Sequence, residues 1–179
     1  MRISVVGTSG SGKSTMAEHL ATRLNVPYIE LDAINWQAGW RDLQSHDPEE
    51  FKRRTAVATA GDAWVIAGNY SLVRPLVWPR LTHVVWLDYE RPVVMRRVLW
   101  RSLVRAVDGR ELWPGTGNRE RFRDWLDKEH PIRWAWDTHA RNRALYAAML
   151  ADPANAHLKV VRLRHPREAN DILARLTAA

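Results

Sequence analysis

The apolar positions of this chain fall in short, largely β-branched runs, each closed by a glycine or an acid. Ile3-Ser4-Val5-Val6 stops at Gly7, Pro27 to Leu31 at Asp32, Trp64 to Ala67 at Gly68, and Thr82 to Leu87 at Asp88. Runs of this kind predict buried strands. Ser14 to Leu24 has helical spacing. A second helix is predicted from Asp47, because Asp47-Pro48-Glu49-Glu50 supplies a cap, a first-turn proline and a capping-box acid. Beyond the fourth strand the pattern predicts a helix over 91–107, helical stretches near 119–129 and 131–150, a strand near 157–163 and a last helix near 167–177. Gly109, Pro114, Gly115 and Gly117 mark residues 108–118 as a loop with the composition of a hinged flap. No internal repeat interrupts the order. Alternating strands and helices imply a parallel sheet covered on both faces, since each parallel crossover needs a helix-length connection. Ligands then bind beyond the carboxyl ends of the strands, where Gly7, Asp32, Ala67-Gly68 and Asp88 all fall.

Composition narrows this picture. The 179 residues suit one domain, and 46% hydrophobic content with ten tryptophans exclude a disordered chain. Without cysteine there is no disulfide scaffold and no thiolate zinc site, and the seven histidines lack paired ligand spacing. The N-terminus turns glycine-rich at Gly7 before a signal-peptide core develops, and no apolar run reaches transmembrane length, so the expectation is a cytoplasmic protein without membrane contact. The net charge of +7 calls for an anionic partner and is local: residues 91–123 carry nine arginines against Asp108, Glu111 and Glu120.

Gly7-Thr8-Ser9-Gly10-Ser11-Gly12-Lys13-Ser14-Thr15 matches the Walker A pattern in full, between a predicted strand and a predicted helix. Glycines let the backbone curl so that N–H groups from Gly10 through Ser11, Gly12 and Lys13 to Thr15 point at phosphate oxygens. Lys13 adds charge at the β and γ phosphates, and Ser14 offers a hydroxyl to magnesium. ATP with Mg2+ is the expected pair. Neither an Asn-Lys-x-Asp stretch nor an Asp-x-x-Gly switch of a GTPase occurs, and the arginine-rich segment suits a kinase better than a transporter-type ATPase.

On these residues the chain resembles adenylate-kinase-like P-loop kinases, and most closely the small bacterial DNA topology modulation proteins. The resemblance runs from Walker A through Leu31-Asp32, Trp36, Gly39-Trp40, Gly68-Asn69-Tyr70, Arg74 and Leu87-Asp88 into the arginines that follow. It implies one α/β domain over 1–179, a three-layer P-loop fold with a five-stranded parallel sheet in the order 2-3-1-4-5, an acceptor pocket and an arginine-rich helical lid near 105–123. The chain departs from that family at two positions. Ala67 stands where an acid usually precedes Gly-Asn-Tyr, and Glu30 stands where histidine is common. Because the fourth strand neighbours the first in that order, Asp88 becomes a candidate to replace the missing acid near magnesium. A strand-end turn role is its alternative.

Asp32 resembles the position from which shikimate-kinase-like enzymes bind or deprotonate an acceptor hydroxyl, a role that needs a carboxylate within hydrogen-bond reach. Its alternative is a turn or helix cap. Trp36 and Trp40 read either as an aromatic wall for a planar acceptor or as core. Asn69 and Arg74 are candidates for acceptor polar groups, with a turn residue and a surface charge as the plain alternatives. On the predicted helix, Arg97, Arg101 and Arg105 share one stripe while Val94, Val98, Leu99 and Leu103 can pack toward the sheet. The resemblance implies transferring-phosphate roles for Arg97, Arg101 and, from the lid, Arg110, flanked by Arg119 and Arg123. The leading expectation is phosphoryl transfer to a small acceptor such as a nucleoside, nucleotide or polyol, by a monomer or homodimer. The second class is an ATP-binding regulator that contacts nucleic acid, which the net charge and the relatives' label motivate.

Overall fold

The computed structural model describes residues 1–122, 125, 127 and 130–178. Five strands, β1 (Arg2–Gly7), β2 (Tyr28–Glu30), β3 (Trp64–Ala67), β4 (His83–Leu87) and β5 (Lys159–Leu163), form one parallel sheet in the order β2-β3-β1-β4-β5. This is the expected order. The helices are α1 (Lys13–Leu24), α2 (Leu31–Asn35), α3 (Leu43–His46), α4 (Pro48–Ala58), α5 (Arg74–Val77), α6 (Arg91–Asp108), α7 (Pro131–Ala151) and α8 (Ile172–Ala178). The cap expected at Asp47 is present, with its carboxylate accepting from the Glu50 N–H at 3.1 Å.

Both faces of the sheet are covered, which is why its strands read as apolar runs and not as alternating ones. Ile3, Val5, Val85 and Leu163 pack with Leu20 of α1, Val94 and Val98 of α6 and Ile172 of α8 on one face. Val6, Ile66, Val84 and Trp86 pack with Phe51 of α4, Val77 of α5 and Tyr146 of α7 on the other. The last helix begins later than its pattern suggested, because Pro166–Asp171 forms a 3-10 turn first. The helical stretch expected near 119–129 is absent from Arg119, Glu120 and Arg121, which are irregular. Arg123 lies outside the described residues. Among the described residues no helix is long and apolar enough to cross a membrane.

Helix α6 corrects one expectation. Val94 and Val98 pack on the sheet as predicted, but Leu99 and Leu103 are 43% and 39% exposed. The buried face instead runs through Val94, Val98 and Ser102, and the arginine stripe lies beside it. Arg97 bonds to the phosphate loop, Arg101 is half-buried, and Arg105 stands 3.7 Å from the buried Glu120. Guanidiniums were placed where helical spacing allowed, while apolar side chains were left in solvent.

Candidate active site

Strand β1 delivers the chain at Gly7 into a loop that ends at Gly12, the N-cap of α1, in left-handed conformation (φ 96°, ψ 21°). No side chain caps this helix, so its first-turn N–H groups and the positive end of its dipole remain for an anion. The loop is clamped from within by the Ser11 N–H donating to Thr8 O at 3.0 Å. It is clamped from outside by α6. At Gly10 (φ +83°) a Cβ would stand 2.6 Å from Val98 Cβ, so only glycine lets the loop lie against that helix. Ser11 Oγ is buried without a hydrogen-bond partner, an unspent polar group inside a curl of backbone donors. Lys13 and Ser14 follow, both half-buried at the mouth.

Arg97 reaches this loop. Its Nη1 donates to Ser11 O at 2.9 Å, and its guanidinium lies 5.4 Å over the Tyr89 ring. A Cβ on Gly12 would come within 3.2 Å of the same Nη1. Of the three arginines favoured from the sequence, Arg97 stands on the loop itself.

On the β2 side stands an acid that the sequence reading treated only as a departure. Burial, and then the charge of Asp32, push the Glu30 carboxyl above the ordinary carboxylate range. The hydroxyls of Tyr28 and Ser14 and the charge of Lys13 oppose the shift. The Tyr28 hydroxyl donates to Glu30 Oε2, whereas Oε1 is buried with no hydrogen-bond partner. Glu30 is the register partner of Ala67 across β2 and β3. The carboxylate missing from the end of β3 is therefore present one strand over, beside Ser14.

Asp88 has other work. Arg143 Nε binds its Oδ1 at 2.8 Å and Arg162 Nε its Oδ2 at 2.9 Å, and the Arg162 guanidinium also stacks 4.2 Å over Trp86. Both carboxylate oxygens are spent on the β4–β5–α7 side of the sheet. The expectation that Asp88 replaces the acid lost at position 67 is corrected accordingly. Among the described residues no group of three or more histidines, aspartates and glutamates could hold a metal by itself. The oxygen set of Ser14 and Glu30 fits a hard cation that keeps waters and borrows phosphate ligands, which is the habit of magnesium.

Asp32, in the first turn of α2, accepts from the Tyr70 hydroxyl at 2.6 Å. Burial and the Asp32 charge raise the Tyr70 phenol, so it remains a donor to that carboxylate. Arg101 lies close enough to Asp32 and Glu120 for both charges to act on it. Burial, and then Arg105, hold its guanidinium down to about 10, and its Nε has no hydrogen-bond partner. Asn69 accepts from Arg74 Nε at 3.1 Å. Arg74 also lines a separate 440 Å³ cleft with Trp78, Met149 and His157, away from the phosphate loop.

The flap at 109–118 rests on the segment that follows α2. Trp36 meets Trp40 edge-to-face at 5.7 Å, and Trp40 meets Trp113 of the flap at 6.0 Å. Asn118, almost fully buried, accepts from the Trp40 N–H at 3.0 Å and donates to Gln37 O at 2.8 Å. Trp40 is held at φ +60°, unusual for so large a residue. Arg110 is not brought to the loop: it is exposed and paired with Asp108 at 2.5 Å.

No family model matches the chain. A shikimate kinase of Symbiobacterium thermophilum is 34% identical over 117 residues, covering 59% of this chain and 67% of the relative. The chain belongs to the shikimate-kinase-like P-loop kinases. A shikimate kinase of Synechococcus elongatus is 30% identical over 113 residues, which cover 52% of this chain and 55% of that relative, little more than half its length. In fold, the Acinetobacter baumannii shikimate kinase solved with shikimate superposes with a TM-score of 0.59 at 20% identity, covering 99% of this chain and 93% of that one. The Aquifex aeolicus shikimate kinase gives 0.53 at 15% identity, covering 99% and 97%. These relatives carry the P-loop kinase part of the resemblance and not a special closeness to DNA topology modulation proteins.

Within this shikimate-kinase-like frame, sequence reasoning missed Glu30, Tyr70 and Asn118. For Glu30 a signal existed: Glu30 and Asp32 are two residues apart at the end of one predicted strand, aimed at the nucleotide end of the sheet. Tyr70 followed two candidate residues, Gly68 and Asn69, and was left without a role. Nothing local marks Asn118, whose partners lie 78 and 81 residues away.

Proposed function

We propose that the protein is an ATP- and magnesium-dependent kinase that phosphorylates a hydroxyl of a small acceptor. The observation that supports this reading is the Tyr70-held Asp32 carboxylate next to Glu30, which itself meets Ser14 and Lys13 at the uncapped N-terminus of α1. Phosphate donor and hydroxyl acceptor would meet between them. Shikimate is the first acceptor to test, because the relatives are named for it. Nucleosides, nucleotides and other polyols follow.

In this mechanism the N–H groups of the loop and of the first turn of α1 bind the β and γ phosphates, and Lys13 adds charge there. Ser14 and Glu30 would hold the magnesium ion, which when bound neutralises phosphate charge. Asp32 orients the acceptor hydroxyl and takes its proton as the oxygen attacks the γ phosphorus. The bond from that phosphorus to the β–γ bridging oxygen breaks, and ADP leaves with the electron pair. Arg97 keeps the loop in shape through Ser11 O, and its remaining N–H groups would serve the bound phosphates. Arg101, with a free Nε and Asp32 nearby, binds an anionic group of the acceptor or the charge spread over the transferring phosphoryl oxygens. Trp36, Trp40, Asn69 and Arg74 border the acceptor side. The segment 105–123 acts as the lid of a single domain over 1–179, and its opening from the Trp36–Trp40 loop admits the acceptor.

A nucleic-acid-binding regulator would need its arginines outward. Arg96, Arg110, Arg119 and Arg121 are exposed, but the stripe nearest the phosphate loop, Arg97, Arg101 and Arg105, turns toward the loop, Asp32 and Glu120, which favours the kinase reading. The deciding experiment incubates the protein with Mg-ATP and a panel of shikimate, nucleosides, nucleotides, sugars and oligonucleotides, following ADP and the mass of any phosphorylated product. A phosphorylated small molecule supports the reading. ADP release that depends only on oligonucleotides, with binding that falls steeply with salt, overturns it in favour of the regulator.

A further inference from the structure

Residues 109–118 are folded as one body. The Leu112 N–H donates to Asn118 O at 2.8 Å and closes the neck, while the Thr116 hydroxyl donates to Trp113 O at 2.8 Å within it. At one end of this flap stands Gly109, left-handed (φ 59°) where α6 stops. At the other stands Asn118, only 2% exposed. Its main chain holds the flap together, and its side chain reaches out of the flap.

That side chain ends in a turn. Gln37 and Trp40 are the first and fourth residues of a tight turn through Ala38 and Gly39, where the carbonyl of the first ordinarily takes the N–H of the fourth. Asn118 engages both groups: its Nδ2 donates to Gln37 O at 2.8 Å, and its Oδ1 accepts from the Trp40 N–H at 3.0 Å. A carboxamide carries a donor and an acceptor side by side, so it substitutes here for a peptide group. Gly39 (φ 69°) and Trp40 (φ 60°) are both left-handed, and a residue as large as tryptophan keeps that conformation only where its surroundings over-determine it. Trp113 of the flap meets the Trp40 ring edge-on at 6.0 Å.

Such a contact has two satisfied states. With Asn118 inserted, flap and turn are one piece. With it withdrawn, Gln37 O and the Trp40 N–H can bond to each other, so release strands no buried backbone group. A joint of this kind opens and closes at little cost, unlike a contact in the core. Its anchors define what the flap spans. Asn118 ties it to the segment after α2, the helix of Asp32. Glu120, buried and 3.7 Å from Arg105 Nη1, ties the next residues to α6, the helix of Arg101.

We propose that Asn118 is a latch: its carboxamide, inserted in the Gln37–Trp40 turn, holds the flap across the elements that carry Asp32 and Arg101 and keeps water from the transferring phosphate. The catalytic part rests on the kinase reading above. Asn118 acts through the flap, as a positioning residue. Once the latch is lost, water takes the acceptor's place at the γ phosphorus and gives its proton to Asp32. The bond to the β–γ bridging oxygen breaks, and ATP becomes ADP and inorganic phosphate.

The chain has no cysteine, so spin labels attach only where cysteines are introduced. In the double variant Ala38→Cys and Pro114→Cys, both at exposed positions, electron-electron resonance should give one narrow distance. Adding Asn118→Ala should broaden it. Without acceptor, Asn118→Ala should hydrolyse Mg-ATP about 10-fold faster than wild type, the factor that about one net hydrogen bond supplies, while its affinity for ATP holds. General loosening predicts the opposite, slower hydrolysis with weaker ATP binding. Asn118→Asp keeps an acceptor for the Trp40 N–H but offers Gln37 O no donor, and should behave like Asn118→Ala. Should Asn118→Ala fail to fold, Trp113→Ala removes only the half-buried ring at the flap and should give both changes in smaller measure. A chain that neither phosphorylates nor hydrolyses anything sinks the kinase reading, and the latch then stands or falls on the label distances alone. A distance indifferent to both Asn118→Ala and Trp113→Ala overturns the latch. So does wild-type hydrolysis that a folded variant leaves level or slows.

Discussion

Replacing Glu30 by glutamine separates what this acid does for folding from what it does for chemistry. The Glu30 carboxyl is raised by burial and by Asp32, so the fold prefers its protonated form. Stability associated with the group is fully present below the ordinary value of 4.5. It is lost as pH rises from there through the raised value, because the native state holds a proton that the unfolded chain has released. The Oε1 oxygen is buried with no hydrogen-bond partner, so ionisation puts charge where no protein group meets it. Above the raised value, each pH unit by which the native carboxyl is raised costs the wild-type fold about 1.4 kcal/mol. Glutamine keeps the length and an acceptor for the Tyr28 hydroxyl while removing the repulsion from Asp32. Glu30→Gln should then be more stable than wild type at pH 7.5. For a domain of this size, each kcal/mol corresponds to about 2–4 °C in Tm, which gives a gain of about 3–6 °C for each pH unit by which the carboxyl is raised. Melting curves from pH 4 to 8 should show the gain shrinking toward acid, where the wild-type carboxyl is protonated too. In the same variant the magnesium concentration for half-maximal turnover should rise about 10-fold or more, because a neutral amide replaces the charged oxygen facing Ser14. A variant less stable than wild type at pH 7.5, or one with an unchanged magnesium titration, would falsify the role given to Glu30.

Three further outcomes follow from the site. Lys13→Ala should abolish phosphoryl transfer while its melting temperature stays near that of wild type, since the lysine acts on ligand charge; full turnover in a folded variant contradicts this. Tyr70→Phe removes the donor that orients Asp32, so kcat should fall about 10-fold while the KM for ATP holds, and a matched change in both parameters would point to general loosening instead. Arg101→Ala should lower turnover far more than ATP affinity, as expected for a contact made chiefly in the transition state, and nucleotide titration against single-turnover rates distinguishes the two effects.

The strands and the phosphate loop were legible because each rests on short-range signals, whereas the sheet order came with the family resemblance. Apolar runs ending in glycine or aspartate mark strands that lead into loops, and the Walker A residues carry both their geometry and their chemistry within nine positions. The flap was legible as a loop from Gly109, Pro114, Gly115 and Gly117, but not its docking, which depends on Trp113 and Asn118 meeting Trp40. Trp36 and Trp40 join a ladder of rings linking the segment after α2 to the flap, half-buried at Trp36 and exposed at Trp40. Helical periodicity correctly grouped Arg97, Arg101 and Arg105, yet which stripe faces inward depended on partners in the loop and near Glu120. Hydrophobicity alone assigned Leu99 and Leu103 to the wrong side.

The acid at the metal side shows why strand register matters more than strand position. Read along the chain, Ala67 is a loss, and the nearest repair by strand order is Asp88 on the other neighbour of β1. Read across the sheet, Ala67 pairs with Glu30 on β2 and with Val5 on β1, so a carboxylate on β2 fills space beside the one that is missing. Asp88 could not make the same move, because β5 and α7 each bring it an arginine and a buried carboxylate bound to two guanidiniums is held in place by the cost of leaving either one unpaired. The two acids thus differ in what surrounds them. Asp88 has both oxygens satisfied by the fold, while Glu30 retains a buried oxygen with no protein partner and costs stability as it ionises. A carboxylate held in that state next to Lys13 and Ser14 is better suited to a ligand than to the core.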